Sequence, residues 1–385
     1  MINTQQSLVY DLEHIIAGKN IGDRAAMLRR VTDLFVVASD KLSDEQVALF
    51  DDVMGRLLEE IDTSARAAFG QLLATVPGAP PKVVRRLALD DAIDVAGPIL
   101  VHSGQVDELT LVEGAKTKSQ AHLLAISRRK TLAESVTDVL VERGDRQVAL
   151  STAGNPGAAF SEFGYSKLVQ RSSTDDRLAA CVWSRPEIPR QHLLKLFAAA
   201  SEAVRLELTK ADPRKANVIL EIVAQASHQI QTRTREKSAD YAAAQAQVQS
   251  LQASGGVSEA HVAEFARTGK FDEATIALSF VCDLPVALVE RALADERSER
   301  IIVIAKAFNL SWATVKGILL LQDKTKNDNK YQMDKHFEAF TRLNVETAKK
   351  AIRFYRLRER ATAPLTALSG HRMPLDFYPP SDDGF

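Results

Sequence analysis

Short helical patterns come in pairs at a fixed spacing along the middle of this chain, and that recurrence limits its folding options more than any single motif. Apolar residues at three- and four-residue intervals predict a helix over 120–129 and a partner over 132–143, closed by the turn Gly144-Asp145. The pattern returns over 146–153 and 158–170, across Gly154-Asn155-Pro156-Gly157. It returns again over 176–183 and 189–200, across Ser184-Arg185-Pro186. Ser201 begins a further pair that leads into an alanine- and glutamine-rich helix ending near Ser254-Gly255-Gly256. The period is roughly 27 to 29 residues, close to the shorter HEAT-like units. One such pair cannot bury its apolar face alone. The expected fold is therefore all-α: an α-solenoid of short HEAT-like helix pairs, an α-α superhelix, with flanking helices.

The flanks are helical too. Ser43-Asp44-Glu45-Gln46 reads as a capping box, and Val47, Phe50, Met54, Leu57, Leu58 and Ile61 then line one helix face. A helix starting at Thr63-Ser64 runs toward the break Pro77-Gly78-Ala79-Pro80-Pro81. Beyond Gly256, helical patterns over 257–267, 273–282, 286–293, 300–308 and 313–321 form a second layer. The polar run Lys324-Thr325-Lys326-Asn327-Asp328-Asn329-Lys330 precedes one long basic helix. The expected segments are an acidic helical region over 1–79, repeats over 80–254, a helical layer over 257–322, a basic amphipathic helix over 329–362 and a disordered tail over 363–385.

Composition excludes several classes. With 385 residues, of which 45% are hydrophobic and 26% charged, the chain can bury a substantial core. No run approaches the roughly 18 apolar residues of a membrane span, and the N-terminus lacks a signal-peptide pattern, so a cytoplasmic location is expected. Cys181 and Cys282 lie far apart inside apolar helical patterns and read as buried structural thiols. The net charge of −1 hides an acidic first 115 residues and a basic stretch from Arg300 onward, a split suited to internal docking, dimer packing or an anionic partner.

A resemblance adds to this. Residues 283–293, beginning Asp283-Leu284-Pro285-Val286, with Ile302-Val303-Ile304-Ala305-Lys306-Ala307 and Leu310-Ser311-Trp312-Ala313-Thr314-Val315-Lys316, resemble the C-terminal signature of a bacterial family catalogued as domain of unknown function 2336. Gly154-Asn155-Pro156-Gly157-Ala158-Ala159-Phe160-Ser161, Leu168 and Ser201-Glu202-Ala203-Val204-Arg205 are similar to its repeat segment. The resemblance covers about residues 80 to 322. It implies a helical HEAT-like protein and transfers no catalytic residue.

Catalytic and metal signatures do not emerge. The eight histidines are scattered without metal-ligand spacing, and His102, His122, His192 and His228 read as packing or surface residues. No P-loop, dinucleotide fingerprint or nucleophile elbow occurs, and no cofactor or metal is expected. The acid pairs Asp51-Asp52, Asp90-Asp91 and Asp175-Asp176 point about 100° apart on a helix, which suits first-turn or solvated acids better than a convergent site.

Two basic features carry the functional expectation. Arg128 and Arg185 each follow a serine at the end of the first helix of a pair, so stacking should align them with Arg129 along one edge able to bind phosphate or carboxylate; helix-end complementation is the other reading. On the last helix, Phe337, Phe340, Asn344, Ala348, Ile352 and Tyr355 form a stripe, and Lys349, Lys350, Arg353, Arg356, Arg358 and Arg360 cluster near its end, as a structural cap or a binding element.

The expected function is a non-catalytic protein-interaction scaffold or regulatory adaptor with a protein partner. Alternatives are a receptor for a small anionic ligand such as a nucleotide second messenger, and a nucleic-acid-binding HEAT-like protein. The acidic first third and near-neutral charge weigh against nucleic acid. No membrane-spanning segment is expected, and peripheral contact would run through the C-terminal helix.

Overall fold

Helix starts in this chain are fixed by short polar side chains. Ser43 Oγ accepts the Gln46 amide at 3.4 Å while Gln46 Oε1 accepts the Ser43 amide at 2.9 Å, completing the capping box expected there. Asp62, Asp107, Asp145, Ser161 and Asp175 likewise take first-turn amides that a helix cannot bond internally. The computed structural model describes residues 24–38, 42–295, 297–322 and 330–362. Its regular elements are all helical, and a single isolated parallel bridge joins Leu132 to Ala158. The proposed tail and most of the polar run at 324–330 lie outside these residues, as does the start of the acidic segment. No described helix is long and apolar enough to cross a membrane.

The chain divides into two compact units, Met1–Ile188 and Pro189–Phe385. The first contains α1 (Arg24–Ala38), α2 (Asp44–Leu57), α3 (Thr63–Leu73), α4 (Pro81–Ala88), α5 (Ile93–His102), α6 (Glu108–Thr117), α7 (Gln120–Ser127), α8 (Glu134–Arg143), α9 (Arg146–Gly154), α10 (Glu162–Ser172) and α11 (Asp176–Trp183). Each helix from α2 to α9 packs against the helix two places later, so α2, α4, α6, α8 and α10 form one row and α3, α5, α7, α9 and α11 another. Buried residues such as Val83, Leu87, Ile99, Leu123, Leu140 and Leu168 fill the space between the rows. This alternate packing begins with α1 against α3, ahead of the Pro77–Pro81 break, and runs to α11.

Stacking also repairs helix ends. Pro80 has no side chain able to cap α4, and the buried Asp51 of α2 accepts the Lys82 and Val83 amides at 2.9 and 2.7 Å instead. At the other end, Arg171 of α10 donates to Val141 O and Gly144 O, both at 2.8 Å, where α8 runs out of internal partners. Arg143 of α8 does the same for Ala115 O of α6. Charged donors to otherwise orphaned carbonyls contribute about 1.5–3 kcal/mol each.

The second unit is built differently. It contains α12 (Arg190–Ala211), α13 (Ala216–Lys237), α14 (Ala239–Ser254), α15 (Glu259–Arg267), α16 (Phe271–Val281), α17 (Val286–Ala294), α18 (Glu299–Ala307), α19 (Trp312–Gln322), α20 (Lys330–Arg342) and α21 (Val345–Thr362). The long α12–α13 hairpin packs along itself, with α12 against α17 and α13 against α14. Val262, Ile276, Val289, Ile304, Val315, Leu319 and Ile352 share the core of α15 to α21.

Beneath the hairpin sits a buried charge network. Arg190 donates to Asp272 and Glu290, Arg235 reaches Glu290 at 3.3 Å, and the Arg190 guanidinium lies 4.8 Å from the Tyr241 ring centroid. Burial pushes the Asp272 carboxyl up and the Arg190 and Arg235 guanidinium groups down, so the ions persist through their mutual pairing. The Glu290 side chain has no exposed surface. Glu290→Ala therefore leaves two buried arginines short of their shared carboxylate, and should lower the unfolding free energy of this unit by about 3–5 kcal/mol in urea titration followed by circular dichroism.

Candidate functional site

The expected arginine edge resolves into two populations. Arg129 donates to Leu100 O at 2.5 Å and Ser103 O at 2.9 Å, closing the end of α5, and its burial lowers the guanidinium pKa. Arg185, only 7% exposed, donates to Ala153 O and Asn155 O at 2.9 Å and Ala158 O at 2.7 Å, closing the end of α9. It also pairs with Glu187 and lies over the Phe160 ring, 4.7 Å from the centroid. Between them, Asn155 Nδ2 serves the end of α7 through Ser127 O at 2.9 Å and Arg129 O at 2.7 Å. The row α5, α7 and α9 is thus closed by Arg129, Asn155 and Arg185 in turn.

The stretch from Gly154 to Ser161 gains a physical meaning here. Gly157 passes so close to the preceding repeat that a Cβ would sit 1.9 Å from Lys130 O. Leu132 and Gly157 to Ala159 exchange two backbone hydrogen bonds of 2.9 Å across the bridge. Ser161 caps α10 and donates to Asp138 at 2.7 Å. These residues clamp neighbouring repeats together.

Arg128 points elsewhere. It is exposed and lines an open groove of about 490 Å³ with Leu124 of α7, Gln147, Leu150 and Ser151 of α9, and Arg177, Ala180 and Cys181 of α11. Leu124, Leu150 and Ala180 each stand fifth in their helix, on α7, α9 and α11 of one row, so equivalent turns supply the lining. Arg128 lies at the C-terminal cap of α7 and Arg177 in the first turn of α11, and neither has an ion-pair partner among the described residues. Sequence reasoning passed over Arg177, although its place matches that of Gln147 one repeat earlier.

The C-terminal expectation of one helix becomes two, α20 and α21, because Asn344 interrupts the pattern and its Oδ1 accepts the Glu346 amide at 2.8 Å. The aromatic stripe packs. Trp312 meets Phe337 and Phe340 at ring-centroid distances of 5.1 and 5.7 Å, and Ala348 and Ile352 are buried. Arg356 donates to Asp283 O and approaches its carboxylate at 3.5 Å. Lys349 pairs with Glu346 at 3.3 Å, and Lys350 and Arg353 are exposed. Among the C-terminal cations whose side chains are described, one is anchored and three lie at the surface, while the side chains of Arg358 and Arg360 lie outside the described residues.

Several of the remaining sequence candidates are engaged within the fold. Asp90 pairs with Arg66 at 2.8 Å, Asp91 with Lys118 at 2.6 Å, and Asp175 receives Arg146 through two bonds at 2.5 and 3.0 Å. His122 is buried between Ser119 Oγ and Asp90 O. Cys282 is buried, and burial pushes its thiol up to about 12, whereas Cys181 is half-buried in the groove wall. No cluster of metal-ligating side chains occurs among the described residues.

A family model described as "Uncharacterised protein conserved in bacteria (DUF2336)" matches residues 95–353, a span that contains the whole groove lining. No curated protein and no solved structure matches the chain.

The clamp can be tested at residues that do not themselves line the groove. Asn155→Ala removes the donor from two carbonyls and should cost about 1–3 kcal/mol of stability by chemical denaturation. Gly157→Ala should cost more, since the backbone of Lys130 must move to admit the methyl group.

Proposed function

The chain belongs to the family described as uncharacterised proteins conserved in bacteria (DUF2336), and on that premise we propose that it is a non-catalytic scaffold or adaptor, built on an α-solenoid of short HEAT-like helix pairs, that holds a segment of a partner protein. The observation that carries this reading is the groove across α7, α9 and α11, where equivalent turns of neighbouring repeats supply one lining. Such a surface lies open along the stack. It suits an extended or helical segment better than a small reactant, which needs enclosure. The alternate packing of helices supports the solenoid part of the proposal.

The lining also indicates the partner's chemistry. Leu124, Leu150 and Ala180 offer apolar contact, and Arg128 and Arg177 supply two unpaired positive charges at its outer helices. An amphipathic segment carrying acidic residues matches both features. Arg129 and Arg185 take no part, because their donors close helix ends.

The test begins with cross-linked capture from the native cell to identify a partner, followed by titration of the purified pair. Arg128→Glu combined with Arg177→Glu should weaken binding by about tenfold or more at unchanged helicity. Bound partner should also slow alkylation of Cys181, while Cys282 stays unreactive until the fold is opened. Full affinity in the charge-reversed variant would overturn the proposal.

A further inference from the structure

The second unit holds a cavity of about 550 Å³ among α12, α13, α17, α18 and α21. That volume falls within the range of small-molecule sites. Its inner wall is aliphatic: Leu194, Leu288, Ala292 and Ile304 are each at most 8% exposed. Its rim is cationic. Arg205 and Arg297 share the Glu202 carboxylate, with Arg297 at 3.2 Å, and Arg300 meets Asp295 at 3.1 Å. Among the described residues, three rim guanidinium groups therefore share two carboxylates, and Lys195 and Arg291 also line the cavity.

One buried atom points to an occupant. Gln231 lines the cavity at 3% exposure, and its Oε1 has no hydrogen-bond partner. An unsatisfied buried acceptor costs about 1–3 kcal/mol, which a donor on a ligand can recover. The wall gives a planar base little to stack on or read. Phe197 and Tyr355 are its aromatic residues, and the rest of its nonpolar lining is alanine and branched aliphatic side chains.

We propose that this cavity binds an amphiphilic organic anion: an acidic head among Arg205, Arg297 and Arg300, an aliphatic body on Leu194, Leu288 and Ile304, and a hydroxyl or amide donor to Gln231. The head can take over contacts now made by Glu202, whose side chain is 38% exposed at the rim. Carboxylate and phosphate heads share this recognition.

Isothermal titration of the full chain, stripped of bound lipid, tests the assignment with decanoate, 3-hydroxydecanoate, decyl phosphate, decanol and AMP. At least one of the three aliphatic anions should bind. If decanoate binds, 3-hydroxydecanoate should bind about fivefold tighter, the equivalent of one net hydrogen bond, and Gln231→Leu should erase that preference while leaving decanoate affinity unchanged. The relative affinities of decanoate and decyl phosphate separate a carboxylate from a phosphate source. Arg205→Ala with Arg297→Ala should weaken the binding anion tenfold or more, and Leu288→Trp should fill the cavity and abolish binding. Equal affinity for decanol, tighter binding of AMP, or no binding of any aliphatic anion by the correctly folded wild-type chain would overturn the proposal. So would binding that survives both Leu288→Trp and the double arginine substitution in variants whose circular dichroism matches wild type.

Discussion

Short helices are expensive to end. A helix of eight to eleven residues leaves its last four carbonyls without internal partners, so a stack of such helices multiplies orphaned acceptors in a partly dry interior. The first unit meets this with donors sent back from a later helix onto the end of an earlier one in the same row. Arg143 and Arg171 serve one row of helices, and Arg129, Asn155 and Arg185 the other. Each donor is charged or bidentate, so one side chain closes an end that would otherwise need water. Apolar contact brings neighbours together, but these bonds fix how far one repeat is shifted along the next.

The second unit combines helices of 9 to 11 residues with two of 22 residues. Its problem is to hold the 22-residue helices α12 and α13 to a core that they only partly cover. Glu290, fully buried, receives both Arg190 and Arg235, so α12, α13 and α17 meet at one carboxylate. Apolar packing alone tolerates sliding, and a desolvated ion network does not, because a small shift unpairs a charge in a region of low polarity. The wall of the neighbouring cavity inherits that rigidity from α12, α13 and α17.

Helix positions were legible in the sequence because the signals are local. The box at Ser43 and the breaks at Gly144 and at 154–157 rest on residues within a few places of each other. The fate of the arginines was not local. Arg128 and Arg129 are adjacent just past the end of α7, yet the turn there leaves one in solvent and sends the other onto the end of α5, and only the packing of α7 beside α5 decides which. Asp51 was hidden for the same reason, since its two amide donors lie some thirty residues away. The break between α20 and α21 was legible in principle. Asn344 favours a cap over a helix interior, but the surrounding apolar stripe masked it.

The clamp and the groove are not independent. Asn155 holds the carbonyls of Ser127 and Arg129, the residues on either side of Arg128, so the backbone that carries the free guanidinium is pinned from the next repeat. Ser127 also donates to Ser151, itself part of the groove wall, at 2.7 Å. A displacement between α7 and α9 would therefore break helix-end bonds and change the groove lining together. Because closing one helix end and aiming the next exposed side chain share the same backbone, the spacing of Arg128 and Arg177 along this face is set by the packing of α7, α9 and α11.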